Sequence, residues 1–152
     1  MSAISLREQS ARLLLFSAIV AMISASCTSV NTETTLKDAY ADSFMIGCAV
    51  NPLHTGGHLE QATDLILEHF NAISPENCLK PEAVQPRPGV WTFEDADEFV
   101  QFGEDNGMWI LGHTLVWHNQ TPSFYWENAD GTPKSRKELI ETMRVHIETV
   151  AG

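Results

Sequence analysis

Two short stretches of the chain gather side chains able to do chemistry. Pro75-Glu76-Asn77-Cys78-Leu79-Lys80 carries a carboxylate, an amide and an ammonium close together. Gly112-His113-Thr114-Leu115-Val116-Trp117-His118-Asn119-Gln120-Thr121-Pro122 adds imidazoles, an indole and further amides. That mixture suits a sugar. A pyranose ring has an apolar C–H face and a rim of hydroxyls. Trp117 offers a flat polarizable platform for the face. Asn77, Gln120 and His113 can donate and accept along the rim. Glu76 and Lys80 can make charge-assisted hydrogen bonds to hydroxyls, worth about 1.5–3 kcal/mol each.

Each residue also has a plainer explanation. Taken singly, Trp117 is as well explained by core packing and His113 by a satisfied core imidazole. Glu76 and Lys80 could form a structural ion pair with each other. His54, His58, His113 and His118 raise the question of a metal. They lie on strand and loop, with no helix to bring i and i+4 together and no carboxylate at ligand spacing, so no metal site is expected. His69 and His118 are read as structural. No cofactor is implied.

The elements that would position these residues alternate. Phe44 to Val50 is a continuous apolar run stopped by Asn51-Pro52, as in a strand buried on both faces. Leu59 to Phe70 has helical spacing, with Leu59, Ala62, Leu65, Ile66 and Phe70 apolar. Phe70 to Ser74 is a second strand, ended by Pro75. Pro81 to Gly89 reads as a Pro-rich loop. Glu94 to Asn106 is a helix with Ala96, Phe99, Val100 and Gly103 inward and Gly107 as its stop. Acidic residues crowd its first turn, where they favour the helix dipole, and Glu94 to Glu98 is a solvated face. Met108 to Leu111, running on towards Val116, is a third strand. Ser135-Arg136-Lys137-Glu138 has capping-box form and opens a helix to about Val150, with Leu139, Ile140, Met143, Ile147 and Val150 inward.

The order βαβαβα predicts a parallel sheet with helices packed against it, an α/β fold. No Gly-rich phosphate loop follows the first strand, which argues against a dinucleotide-binding sheet. A (β/α)8 barrel uses roughly 31 residues per unit, and three units fit between about residue 40 and Gly152. In a barrel, functional residues lie where strands run into the following loops. Asn51 and His54, then Glu76 to Lys80, then Gly112 to Pro122 would meet at one mouth. Three parallel strands alone would leave open edges, so a fragment of a larger sheet is expected, either an open doubly wound sheet or part of a barrel.

Phe70-Asn71-Ala72-Ile73-Ser74-Pro75-Glu76-Asn77-Cys78-Leu79-Lys80, then Glu82-Ala83-Val84-Gln85-Pro86, then Gly112 to Pro122 resemble glycoside hydrolase family 10. Phe93-Glu94-Asp95-Ala96-Asp97 and Asn106-Gly107-Met108 match the same family. The resemblance spans residues 36–152. It implies a TIM (β/α)8 barrel, of which this chain covers about the first three βα units, and endo-hydrolysis of β-1,4-xylosidic linkages in xylan. It implies that Glu76, Asn77 and Lys80 hydrogen-bond sugar in the glycone subsites. His113 and Trp117 would line the subsite at the scissile bond, and Gln120 would face substrate. Pro81 departs from the family, in which Trp is usual there. A retaining glycosidase uses two carboxylates about 5–5.5 Å apart, one as nucleophile and one as acid/base. In the family these stand at the ends of strands four and seven, so both glutamates are expected beyond Gly152 and no catalytic residue within this chain. Glu76 is assigned to binding, not catalysis.

The N-terminus is an address. Arg7 and Arg12 precede an apolar region, Leu13 to Ile23, and the small residues Ser24-Ala25-Ser26. Residues 1–26 are expected to be a signal peptide, residues 27–35 a tether and residues 36–152 the barrel portion. Cys27 at the first mature position resembles a bacterial lipoprotein, though Ser24 stands where such signals usually carry Leu. Lipidation of Cys27, with membrane attachment, and simple release both stay open. Either way the product is exported, secreted or held at the outer membrane or cell surface of a bacterium. Cys48 and Cys78 could pair in an oxidising compartment, although thiols in an α/β core are more often simply buried. With 9 Lys+Arg against 20 Asp+Glu the formal charge is -11, which excludes nucleic acid as a natural partner but leaves xylan or xylo-oligosaccharides open. The Asn119-Gln120-Thr121 sequon carries no weight beside a bacterial signal.

Rival readings are a non-catalytic polysaccharide-binding exported lipoprotein, a surface-anchored interaction module, and an enzyme for another β-glycan. Globomycin, which blocks lipoprotein signal processing, should leave the precursor uncleaved if Cys27 is lipidated. Full processing in its presence would show that it is not.

Overall fold

The computed structural model describes residues 33–152. The export segment, Cys27 and most of the tether lie outside the described residues. Thr35 caps a short helix, α1 (Leu36–Ala39), by accepting a hydrogen bond from the Asp38 N–H. Strand β1 (Gly47–Val50) is followed by α2 (Pro52–Thr55) and α3 (Glu60–His69). Strand β2 (Ala72–Pro75) is followed by α4 (Pro81–Val84) and α5 (Glu94–Asp105). Strand β3 (Trp109–Ile110) is followed by a 3-10 turn (Ser123–Tyr125) and α6 (Arg136–Ala151).

All three strands are parallel, in the order β1-β2-β3. The register pairs Gly47 with Ala72 and Val50 with Pro75, then Ala72 with Trp109 and Ile73 with Ile110. Parallel strands need crossovers, and the helices supply them. The alternation predicts this parallel sheet with its helices, and the family resemblance implies that it forms the first three βα units of a TIM barrel. Because side chains alternate across a strand, Val50, Ile73 and Ile110 face the helices. There Val50, Ile66, Ile73, Cys78, Phe99 and Met108 form the buried core.

The opposite face is open. Gly47 and Ala49 are exposed, as are Trp109 and Leu111, and Met45 and Phe44 before the strand are more than half exposed. Strand one is therefore shorter than Phe44 to Val50, and it is buried on one face only. Strand three also ends sooner than its apolar run suggests, because Leu111 makes the last ladder bond, to the Ile73 carbonyl (2.9 Å). The loop from Gly112 follows.

Other differences are local. Pro81 to Gly89 is not all loop, since Pro81 opens α4 at the first helical position, where a missing N–H costs nothing. In α3 only Ile66 is fully buried, while Leu59 and Leu65 are exposed. In α6 the Ser135–Glu138 capping box forms, but Ile140 and Ile147 are exposed and His146 is the buried residue. Glu98 lies on the solvated acidic face yet accepts a hydrogen bond from the Thr55 hydroxyl (2.8 Å), joining α2 to α5. His69 is structural, accepting from the Leu36 N–H through Nδ1 (3.2 Å). Cys48 and Cys78 are both free thiols, and burial pushes the Cys78 thiol up to about 11, which keeps it inert.

Gly103 sets how closely α5 approaches the sheet. A Cβ there would lie 2.6 Å from Ile110 Cγ1 and 3.1 Å from Ile73 Cδ1. Alanine in a helix interior normally gains about 1 kcal/mol over glycine. Here overpacking reverses the sign, and Gly103→Ala should lower stability in urea by about 1–3 kcal/mol. Gly112→Ala, with no atom within 4 Å of its Cβ position, should stay within about 0.5 kcal/mol of the parent chain.

Candidate functional site

The strand register decides which residues meet at the mouth. Val50 pairs with Pro75, so the residues that follow, Asn51 and Glu76, lie side by side. The Glu76 N–H extends the ladder to the Val50 carbonyl (2.8 Å). Asn77 and Lys80 form a turn in which the Lys80 N–H donates to the Asn77 carbonyl (2.9 Å). Lys80 is then the N-cap residue of α4, with extended backbone (φ -75, ψ 150). Pro81, with its preset φ, continues directly into the helix. The Pro81 departure from the family leaves Lys80 and Glu82 in place: the Ala83 and Val84 N–H groups both reach the Lys80 carbonyl (2.9 and 3.1 Å).

Lys80 is the centre of the site. It is only 7% exposed, and among the described residues no carboxylate pairs with it; the ion pairs there are those of Arg144 with Glu141 and Glu148. Its Nζ donates to Asn77 Oδ1 (2.8 Å) and to Gln120 Oε1 (2.5 Å), and stands 4.6 Å from the Trp117 ring centroid. The expected alternative of a Glu76–Lys80 ion pair is therefore not what forms. A buried cation must be compensated. Here two amide oxygens and the negative face of an indole do so, the last worth about 2 kcal/mol when desolvated.

The cation orients its neighbours. With both amide oxygens turned to the ammonium, Gln120 Nε2 donates to Asn77 Oδ1 (3.1 Å) and closes the triangle. Gln120 has φ 46, a left-handed backbone that a side chain rarely adopts. Such a residue costs about 1–3 kcal/mol and persists only where its surroundings determine it. Its carbonyl accepts from the Glu82 N–H (3.0 Å), so backbone and side chain are both tied to the second loop. Thr121 Oγ1 donates to the Trp117 carbonyl (2.8 Å), closing the turn between platform and amide. His113 lies tilted beside Trp117 at 5.9 Å, and His118 meets the same ring edge-on at 5.5 Å. The His113–Thr114 peptide is cis.

Of the six residues expected to bind sugar, Asn77, Lys80, Gln120, Trp117 and His113 are thus contiguous. Glu76 is held separately by Asn51, whose Nδ2 donates to Glu76 Oε2 (2.9 Å). Glu76, Asn77 and His113 are exposed to an incoming ligand, while Trp117 and Gln120 are half-buried. The four histidines raised as metal ligands have other places. His54 accepts from the Asn51 N–H through Nδ1 (3.2 Å), His113 and His118 flank the indole, and His58 is exposed.

Sequence reasoning missed the anchor beneath the third loop. Tyr125 donates its phenol proton to Gln85 Oε1 (2.8 Å), and its oxygen lies 2.6 Å from His146 Nδ1. His146 is fully buried, with Trp91 stacked on it at 5.9 Å. Burial pushes the His146 imidazole below its ordinary range, partly opposed by the Leu115 backbone. The signal was present: Leu139, Met143, His146 and Val150 follow i, i+4, i+7, i+11, the inward stripe of α6. His146 lies on that stripe, whereas Ile140 and Ile147 lie off it and are exposed.

Residues 35–152 match the family model for glycosyl hydrolase family 10. The chain is 44% identical over 117 residues to endo-1,4-beta-xylanase B of Paenibacillus barcinonensis, covering 77% of this chain and 34% of that protein. It is 42% identical to a beta-1,4-xylanase of Dictyoglomus thermophilum, covering 77% and 30%. Among solved structures it resembles xylanase XynB from Paenibacillus barcinonensis, complexed with a conduramine derivative, at TM-score 0.70 and 41% identity, covering 79% of this chain and 35% of that one. An intracellular xylanase from Thermoanaerobacterium saccharolyticum gives TM-score 0.73 at 38% identity, covering 79% and 37%. The chain therefore spans about a third of the length of these relatives.

The Lys80 triangle makes a direct prediction. Lys80→Met keeps most of the side-chain volume but removes the cation, leaving the Asn77 and Gln120 oxygens without their donor. Hydrogen exchange at the Glu82 N–H should then rise by about tenfold as Gln120 loosens. Unchanged protection would mean that the loop is held without Lys80.

Proposed function

The chain belongs to glycosyl hydrolase family 10, and from this we propose that it supplies the sugar-binding side of an endo-β-1,4-xylanase cleft. The observation that carries the reading is the buried Lys80 ammonium, clamped by Asn77 and Gln120 under the Trp117 ring. No core needs such a group. A binding site does, because amides and an indole already locked in place lose little freedom when a ligand arrives.

In this reading Trp117 and His113 bound the sugar ring at the scissile bond. Glu76, Asn77 and Lys80 address hydroxyls of the next residue towards the non-reducing end, and Gln120 faces the same ligand. The chemistry is hydrolysis with retention of configuration, by double displacement through a covalent glycosyl-enzyme intermediate. Two glutamates outside this chain act as nucleophile and acid/base. Glu76 binds, and it accepts a hydrogen bond from Asn51 Nδ2 (2.9 Å). Export belongs to the same proposal, supported by Arg7, Arg12 and the apolar stretch Leu13 to Ile23. Cys27 as a lipid-bearing residue would keep the protein at the membrane surface.

Titration of the chain with xylotriose, followed by calorimetry or NMR, tests the binding role. Trp117→Ala should weaken affinity by about tenfold, or about 1.4 kcal/mol. Equal affinity of the variant and parent would remove Trp117 from the site, and absence of binding by the parent would defeat the proposal. Equal affinity for cellotriose would shift the specificity to another β-glycan.

A further inference from the structure

We infer that Asn51 is a positioning residue for the carboxylate of Glu76, holding it ready for a sugar hydroxyl; this rests on the sugar-binding reading proposed above. Asn51 is the first residue beyond β1, and the register sets it beside Glu76. Every polar group of Asn51 is engaged. Its N–H donates to His54 Nδ1 (3.2 Å) and its carbonyl accepts from the His54 N–H (2.9 Å). Its side-chain Oδ1 accepts from the Leu53 N–H (3.1 Å), as the N-cap of α2. Only Nδ2 points away from the helix, and it donates to Glu76 Oε2 (2.9 Å).

The cap fixes the orientation of the amide. Turned the other way, Asn51 would present its NH2 to the Leu53 N–H, donor against donor. So the capping interaction, made for the helix, also forces a donor towards Glu76. That donor engages one carboxylate oxygen and leaves Oε1 for a ligand. An exposed glutamate otherwise explores many rotamers, and fixing it beforehand spares that loss on binding. Asp and Ser would serve the cap equally well, since all three are strong N-caps. Neither can give Glu76 an N–H, so the cap by itself does not require Asn.

Asn51→Asp and Asn51→Ser separate the two roles. Both keep the cap, and thermal unfolding of the chain followed by circular dichroism should be little changed. The carboxylate introduced by Asn51→Asp would face Glu76 with like charge, so xylotriose affinity should fall by about fivefold or more; Asn51→Ser, which only loses the donor, should lower it by about two- to threefold. The decisive comparison is a double-mutant cycle with Glu76→Gln, in which the repulsion is gone. There Asn51→Asp should change affinity by less than about twofold. An equal loss in both backgrounds, or no loss with either substitution in the parent chain, would overturn the inference. Should Asn51→Asp fail to fold, Asn51→Ser in the same cycle decides it. A parent chain that does not bind xylotriose would overturn the sugar-binding reading, and this one with it. Parent binding with unchanged variants would overturn this one alone.

Discussion

A buried ammonium without a carboxylate partner is the constraint around which this site is built. An ion pair with Glu76 would have met the Lys80 charge with a single partner. Instead its charge is met by two neutral amide oxygens and an aromatic face. Each of these is a weaker partner than a carboxylate, so all are needed together. That need ties the second loop, which carries Asn77 and Lys80, to the third, which carries Trp117 and Gln120. The two loops share one charge, and neither can move without exposing it.

The rest of the structure brings the loops to that point. The β1–β2 register puts Asn51 beside Glu76, and the turn from Asn77 into Pro81 aims Lys80. Close approach of α5 at Gly103 seats Phe99 on the sheet and lets β3 run alongside β2. Beyond β3 the chain has no ladder to follow. The third loop is held instead from below by the Tyr125–Gln85–His146 cluster and from the side by Lys80. Two buried polar clusters thus do for this loop what backbone pairing does for a strand. Their directional hydrogen bonds specify one geometry where apolar contacts would tolerate several, while His146 Nε2 stays buried without a partner.

Parallel βα organisation, the N-terminal cap of α6 and the residues proposed to bind sugar are legible in the sequence because they depend on local patterns. Apolar runs, helical spacing, a Ser-x-x-Glu start and ordered motifs carry them without reference to distant residues. The six proposed binding positions rest on motif resemblance, and the fold assembles five of them into one contact group. Strand lengths are less legible. An apolar run has no mark where it leaves the ladder, so Phe44 to Ile46 and the stretch after Leu111 look like strand but are not.

What only the tertiary structure decided is who partners whom. Lys80 could have paired with Glu76, four residues away in sequence. It turns instead to Gln120, forty residues on, and Glu76 turns to Asn51, twenty-five residues back. His146, which no sequence motif singles out, is the most enclosed polar residue among those described. Sequence determines which chemical groups are present and which elements carry them, because propensity and periodicity act over a few residues. Partner choice among polar groups depends on distance and burial, and those exist only once the strands have taken their register and the loops have closed over them.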